Sequence, residues 1–113
     1  MEILFFDSGL AATYYTDADM DLLLDAIENN EGVICFVSGL VRCHPELEMF
    51  PGITDCSAVN LVGFDFSNPF SVRVIVNDPN AGQENTAWEL SEFLRAWTQE
   101  NRSTFIVRRR NLA

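Results

Sequence analysis

Lysine is absent from this sequence: all seven positive side chains are Arg, set against seventeen Asp and Glu, for a formal charge of −10. A chain so short of cations has no broad basic face with which to hold a nucleic-acid backbone or an anionic membrane, so neither is expected as a direct partner. Long apolar runs are missing as well. None approaches the roughly 20 residues that span a bilayer. The opening stretch carries Glu2 where a secretory leader carries positive charge, and a cytoplasmic location is expected. Cysteine is scarce and odd in number, with Cys35, Cys43 and Cys56 at irregular spacing, which fits reduced, mostly packed thiols better than a disulfide framework. Neither G-x-x-x-x-G-K-[ST] nor G-x-G-x-x-G occurs, so no nucleotide cofactor is expected.

What is present is a folded globule. The 113 residues are 48% hydrophobic, enough for the core of one domain and too few for two. The charge is unevenly distributed. Residues 1–60 hold eleven acids and a single Arg, whereas residues 61–113 hold six acids and six Arg, so the whole net charge lies in the first half.

Hydrophobic patterning gives the elements. "EILFF" reads as a short strand turning at Asp7-Ser8-Gly9, and "AATYY" as a possible return strand. Thr16 with Asp19 resembles a capping box, and Gly32 after Asn29-Asn30 a stop, so the spacing predicts a helix over 17–30. "GVICFVSGLV" follows as a buried strand. Residues 42–57, with Pro45, Pro51 and Gly52, read as an irregular excursion with one helical turn near Glu46–Met49. "AVNLVGFDF" and "FSVRVIVN" alternate around Ser67-Asn68-Pro69, as a hairpin expected at the sheet centre, with Val62, Phe64 and Phe66 on one face. After a break at residues 78–82 a long helix is expected over 83–101, and "TFIVRRR" closes as a strand. The expected fold class is α+β: a single small domain, a mainly antiparallel sheet with two helices packed on one face, in β-α-β-β-β-α-β order, with a ferredoxin-like arrangement as one candidate.

The stretch "TDADMDLLLDAIENNEG" holds six carboxylates in fifteen residues and no cation. On a helical wheel Met20, Leu22, Leu23, Ala26 and Ile27 face inward, while Asp17, Asp21, Asp25, Glu28 and Glu31 form an opposite stripe. A calcium loop would match acids at five positions but needs Gly where Leu22 stands, and "LLLDAI" is itself helical. Zinc has no close Cys pair to start from. No metal site is expected. The lone His44 follows Cys43 directly, which on an extended segment sends the two side chains apart, so a nucleophile–base dyad is not expected. On the long helix Thr86, Ala87, Leu90, Phe93, Leu94 and Trp97 follow helical spacing and are expected to define its buried face, leaving Trp88 among Glu92, Arg95 and Gln99, either as an exposed interface anchor or beneath the 42–57 excursion. Arg108, Arg109 and Arg110 are the one basic cluster, expected to pair with carboxylates.

These features point away from an enzyme and toward an acidic binding protein. Its acidic stripe and Trp88 would occupy a basic surface of a partner, such as a nucleic-acid-binding protein. A homodimer or assembly subunit using Trp88 and a sheet edge is the second expectation, and a small enzyme the third. In size and acidity alone the chain resembles phage-encoded DNA-mimic inhibitors of host defence nucleases, among them anti-CRISPR and anti-restriction proteins. That resemblance implies a non-enzymatic inhibitor without cofactor.

Overall fold

A computed structural model describes residues 2–5, 9–49, 55–78 and 83–109. The expected turn at Asp7-Ser8, the segment with Pro51-Gly52, the break at Pro79 to Gly82 and Arg110 lie outside the described residues. Among the described residues seven strands, β1 (Glu2–Phe5), β2 (Leu10–Tyr15), β3 (Gly32–Ser38), β4 (Cys56–Asp65), β5 (Arg73–Asp78), β6 (Gln83–Glu89) and β7 (Thr104–Arg109), form one sheet in the order β1-β2-β7-β3-β4-β5-β6. Every neighbouring pair is antiparallel. The helices are α1 (Met20–Glu28), α2 (Gly39–Cys43) and α3 (Leu90–Gln99), with a 3-10 turn at Pro45–Met49. The α+β class and the antiparallel sheet are as expected. The ferredoxin-like order is not: β1 and β2 form an added hairpin, and β3, not the β4–β5 hairpin, is the central strand.

Helix α1 begins later than the capping-box pattern suggests. Asp19 is the N-cap, its Oδ1 accepting from Leu22 N at 3.0 Å, because Asp17 has turned into left-handed backbone (φ 52°) and donates its N–H to Asn101 O at 2.8 Å. The inward face is as the periodicity requires. Leu23 and Ala26 are buried, with Met20, Leu22 and Ile27 packed against the same core.

The long helix expected over 83–101 is a strand and a shorter helix. Residues 83–89 pair with β5, opposing Ala87 to Ile75 and Trp88 to Val74, and α3 starts only at Leu90. Partnering decided this. A polar stretch with weak local preference gains a ladder of hydrogen bonds by lying beside β5, and the helical spacing from Leu90 to Trp97 is satisfied within α3 alone. Trp88 is consequently 4% exposed, not on a solvent-facing helix surface, and lies tilted against Phe93. Its cover comes from the excursion: the Arg42 guanidinium lies 4.0 Å from the ring centroid while Arg42 Nε lies 3.3 Å from Glu92 Oε2.

One core holds the helices to the sheet. Cys35, Val37, Val59, Leu61, Val74, Val76 and Ile106 meet Leu23, Ala26, Phe93, Ala96 and Trp97 there. The Trp97 indole N–H donates to Thr104 Oγ1 at 3.1 Å, and that hydroxyl donates to Arg102 O at 3.1 Å, so a buried polar pair is fully satisfied. A register shift between Leu61 and Gly63 breaks the simple alternation of β4. Leu61 and Phe64 therefore both join the core, and Val62, expected on the face of Phe64, stands 49% exposed. No helix among the described residues is long and apolar enough to cross a membrane.

Candidate functional site

Because cross-strand partners share a face, the register assigns every side chain of the central strands to one side of the sheet. Cys35 opposes Thr104 and Val59, all buried toward the helices. The alternate residues face away from them. One row on that far face runs Tyr14, Phe105, Ile34, Asn60, Asn77 across five strands; Phe36 with Ala58 flanks it on one side, and Ala12, Val107 and Gly32 on the other. None of the described helices packs there. Tyr14, Ile34, Phe36, Phe105 and Val107 are left half-buried.

Local geometry makes this patch firm. The Tyr14 and Phe105 rings lie 4.9 Å apart, Phe36 meets Phe105 edge-on at 5.8 Å, and the Tyr14 hydroxyl donates to Ser103 Oγ at 3.0 Å. Such tilted and edge-on contacts are favoured arrangements of aromatic quadrupoles. Gly32 keeps the row flat, since a Cβ there would come within 3.3 Å of Val107 Cβ.

A polar cluster borders the patch where β3 ends. Ser38 Oγ donates to Asp55 Oδ1 at 2.6 Å and accepts from Val41 N at 3.2 Å, capping α2, while Leu40 N donates to Asp55 Oδ2 at 2.7 Å. Cys56 opposes Ser38 in register and hydrogen-bonds Glu100. Partial burial, then the nearby Asp55 charge, push the Glu100 carboxyl above its usual range, and burial with the Glu100 charge raises the Cys56 thiol. A thiol so placed is a poor nucleophile. Cys35 is buried and pushed up to about 12, chiefly by desolvation, and has no access to solvent chemistry. The expectation of packed thiols therefore holds for Cys35 and is corrected for Cys43 and Cys56, which are exposed.

His44 caps the C-terminus of α2, with Nδ1 3.3 Å from Glu46 Oε1 and Cys43 just before it. All three are exposed. Among the described residues no group of three or more His, Cys, Asp and Glu could hold a metal ion.

The acidic residues singled out from the sequence lie elsewhere. Asp21, Asp25 and Glu28 are exposed on α1, in the helical layer across the molecule from the aromatic patch. Asp17 precedes that helix and Glu31 follows it, half-buried beside a cleft of about 510 Å³ that includes Arg108 and Arg109. The five do not form one continuous helical stripe. Trp88, the sixth, is inside. Sequence reasoning passed over Tyr14, Phe36 and Phe105, although "ICFV" carries apolar residues at both parities, the mark of a strand with two apolar faces.

No family model and no curated protein matches the sequence. Among solved structures the fold is similar to that of a candidate C39-like peptidase from Bacillus anthracis, with a TM-score of 0.68 at 19% identity over 88% of this chain. The chain spans about half of that protein, 52% of its length. The likeness is one of fold. It runs against the expectation of a non-enzymatic DNA-mimic inhibitor, whose likeness to phage inhibitors rested on size and acidity alone: the fold is one shared with a solved candidate peptidase.

Proposed function

We propose that the chain is a polypeptide-engaging module of peptidase-like architecture, which receives a peptide segment on the open aromatic face of its sheet. The observation that carries this reading is the contiguous set Tyr14, Ile34, Phe36, Phe105 and Val107, half-exposed on a face that no described helix covers. An antiparallel sheet with one face in water ordinarily alternates apolar with polar residues. Aromatic side chains in a firm cluster are what binding surfaces use as anchors, and contiguous apolar patches on soluble domains mark interaction sites. The fold shared with a candidate C39-like peptidase supports polypeptide as the ligand class.

A reduced, carboxymethylated protein serves as a generic unfolded polypeptide. Titrated into labelled protein, it should perturb amide resonances of β2, β3 and β7, and Phe36→Ser should weaken binding tenfold or more. Perturbations confined to α1, or binding indifferent to Phe36→Ser, would reject the reading.

A second reading, in which the chain itself cuts the bound polypeptide, draws on Cys43, His44 and Glu46. A thiol, an imidazole and a carboxylate 3.3 Å from that imidazole are the residue types of a nucleophile, its base and an orienting group. Binding comes first because these three stand in open solvent and not in a cleft. Mass spectrometry of the same incubation separates the two: cleavage abolished by Cys43→Ala would support hydrolysis, and an intact polypeptide would leave binding alone.

A further inference from the structure

The basic residues that end β7 belong neither to the core nor to the acidic helix. By register Arg109 opposes Leu10, two residues along from the Val107–Ala12 pair and four from Phe105–Tyr14, so it lies on the open face with them; Arg108 opposes the buried Ala11 on the covered side. Among the residues that the ladders place on the open face in β2, β7, β3 and the part of β4 paired with β3, Arg109 alone is charged. It is exposed and forms no ion pair among the described residues. The cleft of about 510 Å³ at this end of the face is lined by Leu10, Gly32 and Val107, and its charged lining is Arg108 and Arg109 against the single acid Glu31. The other end of the patch, where β3 finishes, is bordered instead by Asp55, on Ser38, and by Glu100, on Cys56. One end of the face therefore attracts a carboxylate and the other repels it. The acids of α1 lie across the sheet in the helical layer, and exposed charges further apart than a Debye length of about 8 Å are largely screened.

We propose that Arg109 selects the segment bound on the open face: an extended, internal stretch of polypeptide with one acidic side chain at Arg109 and apolar side chains two and four residues away, at Val107 and Phe105. This inference rests on the reading given above, that the face receives a peptide. Side chains on one side of an extended segment recur at about 7 Å, twice the rise per residue, and Arg109, Val107 and Phe105 recur at the same interval because they too alternate along a strand. Acid and apolar groups of the ligand are thus met in register. A guanidinium holds a carboxylate through two parallel N–H···O bonds, a geometry that a neutral side chain does not offer. The apolar contacts supply most of the affinity, and the ion pair fixes where along the face the segment sits. The cleft continues from Arg109 to Asn29 and Asn30, which gives the segment room to run on past its acid, so the occupant is an internal side chain and not a chain terminus.

Two hexapeptides, acetylated and amidated so that neither end is charged, serve as probes: glutamate-serine-valine-serine-tryptophan-serine, and its counterpart with glutamine first. Titrated into the full chain and followed by amide chemical shifts, the glutamate peptide should bind about threefold more tightly or better, and the difference should shrink as salt rises. Arg109→Gln should equalise the two. Arg109→Glu should reverse the preference in favour of a third peptide with lysine in the first position. Both variants alter an exposed side chain and should leave the amide spectrum away from β7 unchanged. Phe36→Ser should weaken all the peptides alike, which separates this inference from the reading beneath it. Equal binding of the glutamate and glutamine peptides, still dependent on Phe36, would overturn the role of Arg109 and leave the peptide-binding face standing. Failure of every peptide to perturb β2, β3 and β7 would overturn both. A glutamine peptide with a free C-terminal carboxylate that outbinds the blocked glutamate peptide would assign Arg109 to a chain terminus and overturn the proposal as well.

Discussion

The two faces of the sheet are made by the same strands and meet different fates. In β3, Val33, Cys35 and Val37 are buried beneath α1 and α3, while Ile34 and Phe36, one residue away in each case, stand half-exposed. Both sets are apolar. The pleat sends alternate side chains to opposite sides, so a strand that is apolar at both parities specifies two buried faces, yet the described helices cover only one. The covered face teaches how the domain is held together, and the open face teaches where apolar surface is left beyond the described helices.

That contrast is breakable by substitution. Trp97→Ala removes the largest buried side chain and its indole hydrogen bond, and should lower stability by about 3–5 kcal/mol, whereas Phe36→Ala on the open face should lower it by only about 1 kcal/mol. Urea unfolding of the two variants measures both. Equal losses would mean that the open face is as structural as the covered one. A finer probe is Thr104→Val, which keeps shape but leaves the buried Trp97 N–H without its acceptor; a loss of about 1–3 kcal/mol with unchanged near-ultraviolet dichroism is expected.

The smallest expected effect concerns the polar border of the open face. Folding raises the Glu100 carboxyl above its usual value through burial and the Asp55 charge. The folded state therefore favours the protonated acid: its stabilising contribution is complete below the ordinary carboxylate range and is lost as pH rises through the raised folded value. Glu100→Gln should accordingly raise the melting temperature at pH 7 and leave it nearly unchanged at pH 3, as followed by thermal denaturation. A variant less stable than wild type at pH 7 would show that the carboxylate is needed as a charge.

Much of the architecture was legible from local pattern. Leu23, Ala26, Phe93 and Trp97 are core residues because helical spacing required it, and the Ser67-Asn68-Pro69 turn lies where alternation reversed. What escaped were features decided by partners distant in sequence. Trp88 reads as helical from its neighbours and is a strand residue because β5 lies beside it. Val62 and Phe64 share a parity but not a face, because a register shift in β4 intervenes. The candidate site was hidden for the same reason. Tyr14, Phe36 and Phe105 come from three strands separated by most of the chain, and only the register unites them, whereas the acidic run is contiguous and drew the attention.

Strand β7 follows every other strand in sequence but occupies the third place in the sheet, hydrogen-bonded to β2 on one side and to β3 on the other. Among the described residues, the β1–β2 hairpin joins the rest of the sheet through β7. Sheet order makes residues 104–109 the join between β1–β2 and β3–β6, so the aromatic patch, whose members lie on both sides of that join, cannot be complete without them. Contacts joining residues some ninety positions apart, such as Tyr14 with Ser103, are non-local pairings of the kind that slow folding.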